Sequence, residues 1–62
     1  MLAQVAYCPA DALLAVRFHD GREYHFFQVP ERIHAELLEA RSLGQYFNQH
    51  IRHSTYPHTR VR

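Results

Sequence analysis

Asp20-Gly21 stands between two alternating apolar runs, Leu14-Ala15-Val16-Arg17-Phe18 before it and Tyr24-His25-Phe26 after it. An Asp-Gly pair in that setting is the strongest short-range signal for a β-hairpin. The register follows from where the apolar side chains must go. A two-residue loop would pair Phe18 with Glu23 and Val16 with His25, sending Tyr24 and Phe26 to the face opposite Leu14, Val16 and Phe18. A three-residue loop with Gly21 in the left-handed region pairs Val16 with Tyr24 and Leu14 with Phe26 instead. That register collects Leu14, Val16, Phe18, Tyr24 and Phe26 on one face. It also sets Arg17 across from Glu23 on the other, a favourable cross-strand pair. The bulged turn is therefore expected.

The flanking segments extend this unit. Leu2 to Tyr7 alternates loosely, as a first strand would, and Cys8-Pro9-Ala10-Asp11 reads as a turn, because proline donates nothing to a ladder and Asp favours turns. Arg22 to Val29 forms the third strand. Pro30 suits the first turn of a helix and Glu31 complements the helix dipole there. Ile33, Leu37, Leu38 and Ala40 supply the apolar stripe of a helix over about residues 30–40. Ser42 and Gln45 form a capping box that opens a second helix, along which Leu43, Phe47 and Ile51 recur at steps of four. Pro57 ends the helical run, so residues from Ser54 onward read as turn or extended chain, and Thr59-Arg60-Val61 could add an edge strand. The expected class is α+β: a three-stranded antiparallel β-meander followed by two short helices and an extended C-terminal segment. With 62 residues, 47% of them hydrophobic, residues 1–62 are expected to form one domain with a small core. At that size dimerisation would add burial the monomer lacks.

Charge is unevenly placed. The chain carries a formal +1, yet residues 1–39 hold all six acids and only Arg17, Arg22 and Arg32, whereas residues 40–62 hold Arg41, Arg52, Arg60 and Arg62 and no acid. An asymmetry of this kind is a hint of an anionic partner, and four arginines are equally in keeping with a solvated surface. Every basic residue is arginine, which favours planar bidentate contacts and stacking. Cys8 is the only cysteine, so neither an internal disulfide nor a cysteine-based zinc site is open to the chain. No apolar run approaches the ~18 residues a membrane span needs, and the start, Met1-Leu2-Ala3-Gln4, lacks the basic and apolar regions of a signal peptide. A cytoplasmic protein without a membrane partner is expected.

Taken together, the residues resemble the KTSC domain, a short bacterial and phage module named for the C-terminus of some lysyl-tRNA synthetases. The resemblance is carried by Tyr7, by Leu14, Val16 and Phe18 before Gly21, and by Tyr24-His25-Phe26, Val29-Pro30, Ser42, Gly44, Phe47-Asn48, Ile51-Arg52, Tyr56 and Arg60. Its specific part is Ser-x-Gly-x-x-Phe-Asn-x-x-Ile-Arg followed by Tyr. Phe26 stands where the family tends to a second tyrosine, and Ala6 and Cys8 flank Tyr7 where Gly and Asp are expected. The resemblance implies the α+β fold. By association with a tRNA-charging enzyme, it also implies an RNA-binding role.

The chemistry-bearing residues point the same way. His50 and His53 can share a helical face, but without a nearby Cys or Glu they make no metal-site signature, so no metal and no cofactor is expected. Cys8 and Ser54 have no readable base and orienting group, so no catalytic residue, enzymatic activity or small-molecule substrate is expected. The cluster that suits binding is C-terminal: Arg52, His53, Tyr56, Arg60 and Arg62, with Asn48 one turn before Arg52. Arginines interleaved with an aromatic fit phosphate contact and base stacking, best on single-stranded or looped RNA. Arg52, Tyr56, Arg60 and Arg62 are the candidate nucleic-acid-binding residues. Set against this are structural roles, Arg52 capping its helix and Tyr56 edging the core. The rival reading is a protein-interaction or homodimerising module. Phe27 is expected beside Leu13 and Ala15 on the outer sheet face, where a solvated face should be polar: either a satellite core under the chain terminus or a partner or dimer surface.

Overall fold

The computed structural model describes residues 2–52 and 56–62. Three strands, β1 (Leu2–Cys8), β2 (Leu13–Phe18) and β3 (Glu23–Phe26), are followed by helices α1 (Glu31–Glu39) and α2 (Leu43–Phe47). A single π-helical turn, Asn48–Arg52, continues α2, and a short strand β4 (His58–Arg60) closes the chain. The sheet is antiparallel throughout, in the order β1-β2-β3-β4. This is the expected α+β architecture with one addition. The C-terminal segment, expected as extended chain that could add an edge strand at Thr59-Arg60-Val61, pairs along β3 as a fourth strand one residue earlier, at His58–Arg60.

The hairpin at Gly21 has the bulged register. Leu14 pairs with Phe26, Val16 with Tyr24 and Arg17 with Glu23. Phe18 and Arg22 close a three-residue loop, Phe18 donating its N–H to the Arg22 carbonyl at 2.9 Å, and Gly21 takes φ +92°. On the outer face Arg17 Nη2 meets Glu23 Oε1 at 3.2 Å. The Arg17 guanidinium holds the Glu23 carboxyl below the usual carboxylate range, against the desolvation that opposes it.

The other connections rely on less permissive residues. Ala12 and Gln28 both lie in the left-handed region, at φ 51° and 59°, which costs a non-glycine residue roughly 1–2 kcal/mol. The two strained loops are tied to each other, since the Val29 N–H donates to the Ala12 carbonyl at 2.9 Å. Tyr7 braces the same corner, its hydroxyl donating to the Val29 carbonyl at 2.6 Å while its ring stacks on His34.

Both helices cover the face that carries Leu14, Val16 and Phe26, and Val29, Leu37, Phe47 and Ile51 complete the buried core. Pro30 stands one position outside the expectation, at the N-cap with extended ψ of 147°, and Glu31 occupies the first turn. Leu37 is fully buried and Leu38 is 58% exposed, so the apolar stripe of α1 is narrower than its sequence suggests. Ser42 caps α2, its Oγ accepting the Gln45 N–H at 3.3 Å, but the Gln45 side chain does not return the bond, so half of the expected capping box forms. The expected α-helical face through Ile51 is completed differently. Beyond Phe47 the backbone widens into the π turn, which still buries Phe47 and Ile51 but leaves Leu43 at the surface. Such single turns occur inside α-helices, often at functional sites, and here the turn delivers Arg52 beside the sheet.

α1 and α2 are also joined by a polar contact. The Tyr46 hydroxyl donates to Glu36 Oε1 at 2.6 Å, and its ring stacks on His50 at 4.3 Å. Desolvation, and after it the Glu36 bond, push the Tyr46 phenol up to about 12.

Gly21→Ala is expected to lower unfolding stability by about 1–2 kcal/mol, measured by denaturant titration. Nothing lies within 4 Å of the added methyl, so the cost is purely one of backbone conformation and the hairpin register survives. For Tyr46, a folded-state pKa above the ordinary value of 10 means that its contribution is complete below pH 10 and is lost as pH rises from 10 to about 12. Tyr46→Phe should therefore lose stability more gradually than the parent over that interval in parallel thermal melts. Equal slopes would contradict the coupling.

Candidate functional site

Pairing of β4 with β3 sets Arg60 opposite Tyr24 and His58 opposite Phe26. Because directly paired residues share a face, the Arg60 and His58 side chains stand beside the aromatic residues of the inner sheet. The pairing continues past β4: the Val61 N–H donates to the Glu23 carbonyl at 2.9 Å and the Glu23 N–H to the Arg62 carbonyl at 3.2 Å. The Phe27 N–H donates to the Pro57 carbonyl at 2.8 Å, so the chain is anchored at both ends of the short strand.

The aromatic residues interlock edge to face. Phe18 meets Tyr24 at 5.9 Å and Phe47 at 5.8 Å between ring centroids, and Phe26 meets Phe47 at 5.6 Å. His58 lies over Phe26, nearly parallel, at 5.1 Å. These rings form the floor of a cavity of about 260 Å³, and Arg22, Arg52 and His58 stand around it. Arg22 is held from two sides. Its guanidinium sits 5.3 Å from the Phe18 ring centroid, and its Nε donates to Asp20 Oδ2 at 2.8 Å. The Arg22 backbone N–H, first, and then its guanidinium keep the Asp20 carboxyl below its ordinary range despite some desolvation. A second depression of about 500 Å³ adjoins the first and shares Phe18, Phe47 and Arg52 with it. Leu2 and Gly44 also line it, and its polar wall consists of Ser42, Gln45, Asn48 and Gln49.

The candidate residues fall in different places. Arg52 lines both depressions. Arg60 is across from Tyr24, and its Nε donates to the Arg62 carbonyl at 2.8 Å. Arg62 is exposed at the end of the β3 pairing. Tyr56 is half-buried against the core cluster, and its carbonyl lies 3.4 Å from Nδ1 of His58. His53 and Ser54 lie outside the described residues. Arg22 and His58 as members of one cleft escaped the sequence reading. Arg22 had a local signal in the bulged register, which pairs it with Phe18, whereas His58 needed the β3–β4 pairing. On the outer face, Leu13 and Ala15 are half-buried and Phe27, one residue past the last β2–β3 pair, is 38% exposed. Among the described residues, no group of three or more His, Cys, Asp or Glu side chains is arranged to hold a metal ion, and no helix is long and apolar enough to cross a membrane.

Chemically, the cleft offers the half-buried rings of Phe18 and Tyr24 to a flat aromatic ligand and guanidinium groups to an anion attached to it. Among the described residues, no carboxylate lines either depression.

The fold recurs in the crystal structure of a KTSC domain protein from Yersinia pestis, which superposes with a TM-score of 0.87 over 98% of this chain and 84% of that one, at 24% sequence identity. An uncharacterized protein of Stutzerimonas stutzeri (strain A1501) is 37% identical over 60 residues, 97% of this chain and 84% of the relative. A Tsukamurella paurometabola protein is 40% identical over 42 residues, 68% of this chain and 63% of that protein. The family model of the KTSC domain matches residues 1–56, which take in the hairpin, both helices and the π turn that carries Arg52. The chain belongs to the KTSC domain family.

Proposed function

We propose that this KTSC domain is a non-enzymatic binding module for single-stranded or looped RNA, and that its binding surface is the aromatic cleft between the β3–β4 edge and the π turn. One observation carries the reading: a concave aromatic floor rimmed by Arg22, Arg52 and His58. Unpaired bases stack on such rings with about 1–3 kcal/mol each, whatever their identity. Phosphates that accompany the bases are met by arginine, whose planar fork suits them. A duplex would hide its base faces, so a strand with free bases fits better. The cavity volume of about 260 Å³ suits one flat ring.

The binding surface expected from sequence is thereby moved and enlarged. Arg52 stays in it, Arg22 and His58 join it, and Arg60 borders it through Tyr24. Tyr56 supports it from the core side, and Arg62 lies at its margin. The test is anisotropy of a fluorescent single-stranded oligoribonucleotide. Affinity should fall steeply between about 50 and 200 mM salt. Arg22→Ala and Arg52→Ala should each weaken binding and reduce the logarithmic salt slope by about 1, with circular dichroism unchanged. No measurable binding at the lower salt rejects the reading.

A second reading is favoured by the outer face, where Leu13, Ala15 and the exposed Phe27 lie on the side of the sheet the helices leave uncovered. Here the domain would dock on a larger protein or on a second copy of itself. Its apolar ground is short, because the neighbouring row is occupied by Arg17, Glu23 and His25, with Nε2 of His25 3.3 Å from Glu23 Oε2. Self-association would appear as a dimer in light scattering that Phe27→Glu dissolves. A monomer at every concentration tested would eliminate that form.

A further inference from the structure

The two adjoining depressions differ in chemistry, and the difference assigns them different tasks. The first has an aromatic floor and, among the described residues, no side-chain amide. The second is the larger, at about 500 Å³, and presents the side chains of Gln45, Asn48 and Gln49. All three are exposed, and none of their side-chain amides hydrogen-bonds another described residue. Asn48 completes the end of α2 through its backbone N–H alone, which reaches the carbonyls of Gln45 and Gly44. Its side chain is thus not needed for the cap. Arg52 is the one charged residue, among those described, that lines both depressions.

Resting on the RNA reading above, we infer that the cleft seats two consecutive nucleotides, one base stacked in the aromatic depression and the next read at its edge by Gln45, Asn48 and Gln49. The phosphate between them lies on Arg52. Stacking is tolerant of base identity, so discrimination belongs to the amide depression. A carboxamide carries a donor beside an acceptor, and in an unpaired strand both the Watson–Crick and the Hoogsteen edges are open. Adenine presents a donor next to an acceptor on both, through N6 with N1 and N6 with N7, and Asn or Gln paired to adenine N6 and N7 is an established fit. The Hoogsteen edge of guanine shows only acceptors, O6 and N7. Guanine sets a donor beside an acceptor only on its Watson–Crick edge, N1–H with O6, so carboxamides that read the Hoogsteen edge at the second position favour adenine over guanine.

The experiment uses the whole chain and four hexaribonucleotides, all-uridine and three with a single adenine, cytosine or guanine in the uridine background. The adenine-containing strand is expected to bind roughly tenfold tighter than the guanine-containing one, the discrimination that one good bidentate contact supplies. Asn48→Ala with Gln49→Ala should erase that preference and leave the salt slope unchanged. Gln45→Ala should reduce it if the paired variant misfolds by circular dichroism. Arg52→Ala should lower the affinity and salt slope for all four strands and keep their ratios. Equal binding of the four strands by the parent chain overturns the two-nucleotide assignment and leaves the RNA reading standing. An adenine preference that persists in the folded amide variants overturns it equally. Binding of none of the strands overturns both.

Discussion

Gly21 at φ +92° allows three residues rather than two to join β2 to β3, and that one extra residue governs which side of the sheet every later side chain occupies. Side chains alternate with a period of two, so a one-residue slip exchanges the faces completely. In the slipped register Tyr24 and Phe26 would stand with Arg17, away from Leu14 and Val16. The helices would then cover half of the apolar side chains, and Phe47 would lose its edge contacts with Phe26. β4 takes its own register from β3, so His58 and Arg60 would be carried to the wrong face as well. Core and cleft therefore depend on the same turn. The left-handed conformation that only glycine adopts cheaply is what ties them together.

The hairpin half of the fold was readable because its determinants are local. Asp20-Gly21, the alternation on either side and the Arg17–Glu23 pair all lie within a dozen or so residues, and each favours one register. Ser42 as the cap of α2 was readable for the same reason. The failures were of two kinds. At Phe47 the sequence continues at helical spacing, and nothing in that spacing distinguishes an α turn from the π turn that follows. Packing decided it, by placing Ile51 in the core while turning Arg52 outward. At the C-terminus the deciding interaction spans more than thirty residues. His58-Thr59-Arg60 is too short to show a period, and its meaning comes from the strand it meets. Grouping Arg52, Tyr56, Arg60 and Arg62 by their closeness along the chain therefore captured part of a cleft whose other members, Arg22 and His58, were assembled by sheet pairing.

Charge distribution shows the same contrast. By sequence the anionic and cationic halves divide near residue 40, and the cationic half alone looks suited to an anion. In the fold the cleft draws Arg22 from the acidic half and Arg52 and His58 from the basic one. Asp20 is near but does not simply cancel Arg22. Its carboxylate accepts from the Nε of a guanidinium that also lies over the Phe18 ring, so the cation has two contacts that limit its range. A positioned arginine surrenders less conformational freedom on binding than a mobile one.

A chain of 62 residues cannot maintain a core and a separate binding floor, and this chain does not attempt it. Phe26 and Phe47 are nearly fully buried and belong to the core, yet their edges, with Phe18 and Tyr24, line the cleft. The edge-to-face contacts that stabilise the fold also hold the floor rigid, so a ligand meets a preformed surface. Shared use has a consequence for function. Truncating a floor ring removes core packing, at about 3–5 kcal/mol for a buried phenylalanine, a large share of the stability available to so small a domain. Sequence change at the floor is therefore constrained by folding. The rim, made of Arg22, Arg52, His58 and the amides of the adjoining depression, carries little of the core and can vary without unfolding the domain. On the RNA reading proposed above, specificity would accordingly lie in the rim, with the floor supplying a general affinity for flat rings.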